Sequence, residues 1–200
     1  MMLRRRAGPL GQRAIATALA CQGGDGDRYV FASRHGELAR TVGILKTLAE
    51  DETPSPAEFS MSVHHAIAGL LSIHTGNRQG HTAVAAGVDT FGFGFLESLG
   101  VIAAEPGASV LLVYCDAPLP DEYAELDPVD DPEPLVLALH MTAPVEDTPV
   151  YAFESQPAPK SGAPIETRQA PRDFLRFLLS GAESARSAGA RMDWQWHRVV

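Results

Sequence analysis

Apolar positions along the chain follow two alternating spacings, and this alternation predicts an α/β domain. Residues 28–33 (RYVFAS) form a short apolar run typical of a strand. Residues 109–115 (SVLLVYC) have the unbroken apolar character of a parallel strand covered by helices on both faces. In residues 36–51, apolar residues repeat at helical spacing and predict one helix with a single buried stripe. The stripe consists of Leu38, Val42, Leu45 and Leu48 or Ala49.

A second helical repeat lies between these strands. Residues 60–76 place apolar side chains every three to four positions and predict one continuous helix. Ser60 or Ser62 would cap its start, and Gly76 suits a left-handed residue at its end. The buried stripe consists of Val63, Ile67, Leu70 or Leu71, and His74.

Residues 80–95 (GHTAVAAGVDTFGFGF) predict a small-residue strand, a sharp turn and the start of a helix that continues to about residue 104. Many enzymes mount a nucleophile on such a turn. Asp89 stands at its tip. The two glycines of the following helix, Gly92 and Gly94, would let another backbone approach closely.

The second half of the chain differs in composition from the first. Residues 116–134 are rich in proline and acidic residues and predict an exposed loop. Residues 135–143 and 150–155 predict two strands that are antiparallel neighbours joined by a turn. A proline-rich connector, a short helix that ends at Gly181 and a terminal strand with both tryptophans on one face complete the pattern.

Composition and charge limit the classes of function. The 200 residues are 45% hydrophobic and 20% charged, which predicts one globular domain with a substantial core. No apolar run approaches the about 20 residues of a membrane-spanning helix, so we expect no membrane insertion. A net charge of −9 repels nucleic acid and anionic lipid, so neither is expected as a partner.

The cysteines and the N-terminus contain few further signals. Cys21 and Cys115 form no C-x-x-C pair, which predicts neither a disulfide framework nor a metal site. The basic and small residues at the N-terminus resemble a bacterial lipoprotein signal poorly and instead predict a short amphipathic helix over residues 12–20. We therefore expect a cytoplasmic protein.

The chemistry that Asp89 could perform stays open at this level. Its carboxylate could act as a nucleophile, act as a general base, or cap the following helix by accepting N–H bonds, and its position favours the cap. Thr90 could serve as the cap equally well.

The seven histidines give no clear site either. His64 and His65 are adjacent and would point about 100° apart on a helix, so they cannot chelate one ion together. His35 follows Ser33 and Arg34 in a loop that could contact an anion, although a solvated turn is the default. The chain has no metalloprotease, serine-hydrolase or phosphate-loop motif, so no cofactor is expected.

The order of these elements resembles the N-terminal half of β-ketoacyl synthases, the condensing enzymes of fatty-acid and polyketide synthesis in the thiolase superfamily. In that family a glycine opens the strand, the catalytic cysteine follows at the turn, and another strand lies beyond. Gly80, Asp89 and residues 109–115 take these places. Residues 28–38 and 59–80 match the first core strand and the helix before the turn, and the likeness covers about residues 12–143.

The resemblance implies a fold class: α/β, half of a thiolase-like fold, with a mixed and mostly parallel sheet covered by helices. Residues 1–155 would form the core, and residues 156–200 a C-terminal extension packed on the same domain.

The departures from the family imply a noncatalytic role. Asp89 replaces the cysteine and cannot form an acyl thioester, so no catalytic residue is assigned. The second half of a condensing enzyme, which supplies two catalytic histidines, is also missing from these 200 residues. The chain most resembles a short group of ketosynthase-like N-terminal domains or chain length factors, found with aryl polyene and related pigment pathways in Gram-negative bacteria. The resemblance therefore implies a subunit that pairs with a full β-ketoacyl synthase and meets acyl carrier protein through that complex.

In thiolase-fold dimers the strand before the turn pairs across a two-fold axis, which implies a dimer interface here. The implied interface consists of Thr82, Ala83, Val84, Ala85, Ala86 and Gly87. Three phenylalanines on the next helix, Phe91, Phe93 and Phe95, could approach a partner's acyl tunnel and limit chain growth, although core packing is the plainer expectation.

Two other functions stay open. Asp89 with His81 or His35 could form a small acyl-processing site, such as a thioesterase or decarboxylase acting on carrier-bound chains. Alternatively, the chain could be a module that binds carrier protein through residues 4–6 and Arg34, although its overall negative charge opposes this.

Overall fold

The computed structural model describes residues 6–21, 23–24, 26–105, 107–126, 133–146, 148–159 and 169–199. Its strands form two sheets. Sheet A contains β1 (Arg28–Ala32), β2 (His81–Val84), β3 (Val110–Asp116) and β4 (Leu135–Met141) in the order β2-β1-β3-β4. β1 is parallel to both β2 and β3, whereas β4 is antiparallel to β3.

Sheet B is smaller and entirely antiparallel. It contains β5 (Val150–Pro157), β6 (Ser184–Ser187) and β7 (Met192–Val199) in the order β5-β7-β6. β5 extends across residue 155 and pairs along its full length with β7. The division of the chain at residue 155 stays a prediction.

Six α-helices accompany the sheets within the described residues. They are α1 (Pro9–Cys21), α2 (Leu38–Ala49), α3 (Pro56–Ser62), α4 (Ala66–Thr75), α5 (Thr90–Ala104) and α6 (Gln169–Ser180). α1 and α4 pack on one face of sheet A, where Ile15 and Ile67 meet Phe31 and Leu111. α5 packs on the other face, and α6 and the tryptophans of β7 belong to the same buried cluster. Every residue of β3 is buried, as its apolar run predicted.

Two expected helices differ from the prediction. α2 buries Val42 and Ile44, whereas Leu45 and Leu48 of the predicted stripe are each 51% exposed. This stripe was wrong because α2 lies at the periphery, where it packs mainly on α3 rather than on a sheet.

Residues 60–76 form parts of two helices instead of one. Val63 has an extended backbone (φ −72°, ψ 144°) and ends α3. The hydroxyls of Ser60 and Ser62 donate to carbonyls three residues earlier within α3, so neither serine caps the start of α4. His74 is exposed rather than in the core, while Gly76 adopts the predicted left-handed conformation (φ 69°).

The strands predicted at residues 135–143 and 150–155 are not neighbours. β4 pairs with β3 in sheet A, and β5 pairs with β7 in sheet B. Consecutive strands usually lie side by side, but β4 buries apolar residues towards both helix layers and therefore joins sheet A.

The remaining elements agree with the pattern, with one omission. The N-terminal helix, the helix that ends at Gly181 (φ 71°) and the final strand are confirmed, whereas the sequence did not predict β6. Asp116, assigned to the exposed loop, is buried at the end of β3. Predictions for residues 4–5, 127–132 and 160–168 lie outside the described residues.

Among the described residues, one helical stretch is long and apolar enough to cross a membrane. Gly87–Ala104 has a mean hydropathy of 1.2 over 18 residues. It packs between the two sheets, and core helices of soluble proteins commonly meet the same criterion.

Candidate functional site

The turn between β2 and α5 is held by its glycine and by a threonine. Gly87 has a positive φ of 64°, which a side chain would strain, and Gly87–Asp89 form one turn of 3-10 helix. Thr90 Oγ1 accepts a hydrogen bond from the Ala86 amide at 3.0 Å and donates to the Gly87 carbonyl at 2.6 Å. The hydroxyl of Thr90 therefore closes the turn just before the helix begins.

Asp89 occupies the N-cap position of α5, but its side chain makes no capping hydrogen bond. The carboxylate is fully buried and points towards the connection between β6 and β7. Oδ1 accepts from the Ala190 amide at 3.0 Å and from Trp194 Nε1 at 3.3 Å, and Oδ2 accepts from the Arg191 amide at 2.9 Å. We call these three bonds the Asp89 tether.

The segment that meets Asp89 fits tightly over the turn. A Cβ on Gly189 would lie far inside contact distance of Asp89 Oδ1 and of the Met192 carbonyl, so only glycine fits there. The Arg191 guanidinium donates to the Ala86 carbonyl at 2.9 Å and lies 5.5 Å from the Phe93 ring centroid. The carboxylate is thus covered by the segment that connects β6 to β7.

His81, proposed as a partner of Asp89, lies at the wrong end of its strand. It opens β2, whereas Asp89 follows the other end, and three strand residues alone span about 10 Å. His81 is exposed, and its ring stacks on that of His65 at 5.8 Å between centroids. The structure therefore does not bring His81 and Asp89 together.

His35 lies in the connection between β1 and α2, near the carboxyl ends of the parallel strands. The neighbouring Ser33 is fully buried, and its carbonyl lies 2.7 Å from Nε2 of His64. Ser33 Oγ accepts from the Gly36 amide at 2.8 Å. The loop is thus organised by its own hydrogen bonds, and the anion contact stays a prediction.

The three phenylalanines of α5 take part in one aromatic cluster between the sheets. Phe91 and Phe95 are buried, and Phe93 is half-buried. Phe91 contacts Tyr114 at 5.7 Å between ring centroids, Phe93 contacts Trp194 at 5.2 Å, and Phe95 contacts Phe153 at 4.9 Å. Core packing accounts for the positions of Phe91 and Phe95, and a role as an acyl gate stays a prediction.

Gly92 and Gly94 allow close approach, but to side chains rather than to a backbone. A Cβ on Gly92 would overlap the Trp194 indole, and a Cβ on Gly94 would lie 2.8 Å from Ala32 Cβ. The expectation of a close backbone contact was therefore wrong. These glycines let sheet B and sheet A pack against opposite sides of α5.

The predicted dimer strand lies at an edge of sheet A. β2 pairs with β1 on one side, and no strand among the described residues pairs with its other side. Thr82, Ala83, Ala85 and Gly87 are exposed, and Val84 and Ala86 are half-buried. The edge is thus accessible to another chain.

A separate polar cluster gathers at the opposite ends of the strands. Asp27 is buried, and its carboxylate accepts from Ser109 Oγ at 2.5 Å and from the Gly23 amide at 3.1 Å. His140 Nε2 lies 3.2 Å from Asp27 Oδ1. Asp27 precedes β1, Ser109 precedes β3, and His140 lies in β4, so these polar contacts hold the three strands together at one end of sheet A.

The cysteines lack the environment of a nucleophile. Burial raises the pKa of the Cys21 thiol, and complete burial raises the pKa of the Cys115 thiol well above its usual range. No group of three or more histidine, cysteine or acidic side chains in the described part of the chain is arranged to hold a metal ion.

The sequence did not identify the residues that hold Asp89. Ala190, Arg191 and Trp194 follow it by 101 to 105 positions. A glycine between two alanines just before the last strand is compatible with a turn, but no local pattern connects it with residue 89.

Comparison with solved structures shows similarity to condensing enzymes. A complex of the ketosynthase ApeO with its chain length factor ApeC from Xenorhabdus doucetiae matches at 29% identity with a TM-score of 0.84, covering 99% of this chain and 81% of the matched chain. A β-ketoacyl synthase from Burkholderia phymatum matches at 13% identity and a TM-score of 0.52, covering 64% of this chain and 34% of that enzyme.

The ishigamide ketosynthase/chain length factor also has a TM-score of 0.52, at 17% identity, and covers 78% of this chain and 52% of the matched chain. These last two likenesses show the thiolase-like fold alone. A search of curated proteins finds no match. The sequence model of the family described as β-ketoacyl synthase, N-terminal domain, matches residues 1–197 of this chain. The chain therefore belongs to that family.

Proposed function

We propose that this protein is a noncatalytic chain length factor that pairs with a full β-ketoacyl synthase. The observation that carries the proposal is the Asp89 tether: the side chain at the nucleophile's position is fully buried and bound by three donors. A carboxylate in these bonds cannot accept an acyl group. The similarity to the ketosynthase and chain length factor complex, which extends over nearly the whole chain, supports the same role.

The partner ketosynthase would bind at the edge of β2. A strand edge with unpaired N–H and C=O groups is normally covered or protected by charge, and residues 82–87 contain no charged side chain. Small side chains at Thr82, Ala83 and Ala85 would permit close approach of a second backbone. The half-buried Phe93 follows this edge and would approach the partner's acyl tunnel.

The finer parts of the proposal concern the pathway. The complex would act on chains attached to acyl carrier protein, in the cytoplasm, in aryl polyene or related polyketide or fatty-acid-type biosynthesis. Residues 1–155 would form the ketosynthase-like core, with residues 156–200 as its extension.

Co-expression with the cognate ketosynthase tests the partner. We expect the two chains to co-purify and to run as a heterodimer in size-exclusion chromatography. Thr82→Arg or Ala85→Arg is expected to abolish the complex, because either side chain would place a charge at the strand edge. Ser184→Arg on β6, an exposed edge position of sheet B, is the matched control and should leave the complex intact. A soluble monomer in the presence of that ketosynthase would contradict the proposal.

Incubation with acyl carrier protein thioesters separates the proposal from a small acyl-processing enzyme. The protein alone should release no product and carry no acyl adduct in intact mass spectrometry. Asp89→Cys should also stay unloaded, because Ala190 and Arg191 cover residue 89. Turnover by the wild-type chain that Asp89→Asn abolishes would favour the enzyme.

A further inference from the structure

A cavity of about 710 Å³ opens between the two sheets beside the C-terminal half of α5. Four elements form its walls: β4 at the edge of sheet A, β5 at the edge of sheet B, α5 and α6. The apolar lining includes six large side chains: Phe95, Leu99, Leu139, Met141, Phe174 and Leu178. Its volume lies within the range of about 300–1,000 Å³ that small-molecule sites occupy.

The cavity extends away from the turn that presents Asp89. Its lining on α5 begins at Phe95, six residues or about 9 Å along the helix after Asp89, and reaches Ala103 at about 21 Å. Phe95, Leu99 and Ala103 lie four residues apart, so they follow one side of α5 over about 12 Å. The space is therefore elongated along the helix.

The floor of the cavity is rigid. Phe95 and Phe174 line it while each is only about 5% exposed. The two rings contact each other at 5.3 Å between centroids, and Phe174 contacts Trp196 at 5.4 Å. Because neighbouring rings fix both side chains, they are not free to fill the opening, and the cavity exists before any ligand arrives.

The chemistry of the lining specifies an apolar and uncharged ligand. None of the described lining residues carries a carboxylate, an ammonium or a guanidinium group, and the imidazole of His140, which also lines the cavity, lies 3.2 Å from the Asp27 carboxylate. Thr142, Thr148 and Tyr151 contribute hydroxyl groups that can bond to one neutral polar end. A charged ligand would lose its hydration without gaining an ion pair.

We propose that this cavity binds an uncharged, chain-like apolar molecule of about the size of a medium-chain alcohol. The site is separate from the strand edge where the ketosynthase would bind, and it does not depend on that function. Straight-chain alcohols from butanol to decanol are suitable probes, with binding to the purified full chain measured by intrinsic tryptophan fluorescence and by calorimetry.

Affinity should rise about fourfold with each added methylene until the cavity is filled, which corresponds to about 0.8 kcal/mol per buried methylene. Octanoate should bind no tighter than octanol. Affinity that is independent of chain length, or no saturable binding, would overturn the proposal.

Two neighbouring alanines of α5 provide a matched pair of variants. Ala103→Trp places a large side chain at the mouth of the cavity and should weaken octanol binding at least tenfold. Ala104→Trp, at the next and equally exposed position, lies outside the lining and should bind octanol like the wild type. Equal effects of the two substitutions would refute the site. If a second copy of the chain fills the cavity instead, alcohols will not bind and Ala103→Trp will change the oligomeric state.

Discussion

Asp89→Asn removes the charge from the Asp89 tether while it keeps the size of the side chain. The amide must turn its NH2 group towards one side of the tether. The better orientation keeps an oxygen facing Ala190 and Trp194 and places the NH2 against the Arg191 amide, which now lies 2.9 Å from Oδ2. A donor then faces a donor, and the two bonds that survive lose their ionic acceptor.

The expected loss in the free energy of unfolding is about 2–4 kcal/mol, because one buried charge-assisted hydrogen bond contributes about 1.5–3 kcal/mol and the other two weaken. The ion pair between Arg191 Nε and Asp89 Oδ2 adds little to this figure. Its atoms are 3.8 Å apart, and the arginine side chain is 64% exposed, so water screens the interaction. Hydrogen bonding, rather than charge pairing, dominates the prediction.

Urea denaturation followed by tryptophan fluorescence measures the loss. Glu97→Gln is the matched control, since Glu97 is an exposed acidic residue on the same helix, and it should shift stability by less than about 0.5 kcal/mol. Hydrogen exchange adds a local test, because the amides of Ala190 and Arg191 should exchange faster in Asp89→Asn than in the control. An asparagine variant as stable as Glu97→Gln, with unchanged exchange at these amides, would refute the tether.

Three further predictions concern the core and its titratable groups. Gly92→Ala should lower the free energy of unfolding by about 1–3 kcal/mol, because the added methyl group would overlap the Trp194 indole ring. Gly100→Ala, with open space around it, should raise the free energy of unfolding by about 0.5–1 kcal/mol. Thermal unfolding that ranks the two variants otherwise would contradict the packing. Iodoacetamide should label Cys21 slowly and leave Cys115 unmodified in the folded protein, because burial raises the pKa of both thiols. Rapid labelling of Cys115, detected by peptide mass spectrometry, would contradict its burial. Burial raises the pKa of Glu37 above its unfolded value, so the contribution of this residue to stability is lost as pH rises through the folded pKa. The stability of Glu37→Gln relative to the wild type should therefore increase between pH 4 and neutrality. Urea midpoints whose difference is independent of pH would contradict this prediction.

Local patterns predicted the elements whose environment is uniform. β3 is covered by helices on both faces, so a run of apolar residues identified it without knowledge of its neighbours. The ends of α4 and α6 were predictable for a similar reason, because Gly76 and Gly181 adopt the left-handed conformation that glycine favours. In each case the physical cause lies within a few residues of the feature.

The failures involve partners that are distant in the sequence. Helical spacing continues through residues 60–76, but the spacing does not show that His64 lies beside the carbonyl of Ser33, 31 positions earlier. Strand pairing is equally non-local: β5 follows β4 directly, yet its partner β7 begins more than thirty residues after β5 ends. The Asp89 tether belongs to the same class, since sequence position favoured a cap while the donors that bind the carboxylate come from another sheet.

The proposed docking edge and the side chain at the tip of the turn depend on different residues. Gly87 and Thr90 fix the backbone of the turn, and the hydrogen bonds between β1 and β2 fix the strand before it. The side chain at position 89 contributes to neither, because it points towards sheet B. An aspartate can therefore occupy the place that the family resemblance assigns to a cysteine without moving β2. The carboxylate instead joins the connection of sheet B to the turn that follows sheet A. The proposed loss of the nucleophile and the proposed docking at the strand edge are thus compatible in one fold, which is the combination expected of a subunit that completes a complex whose chemistry its partner performs.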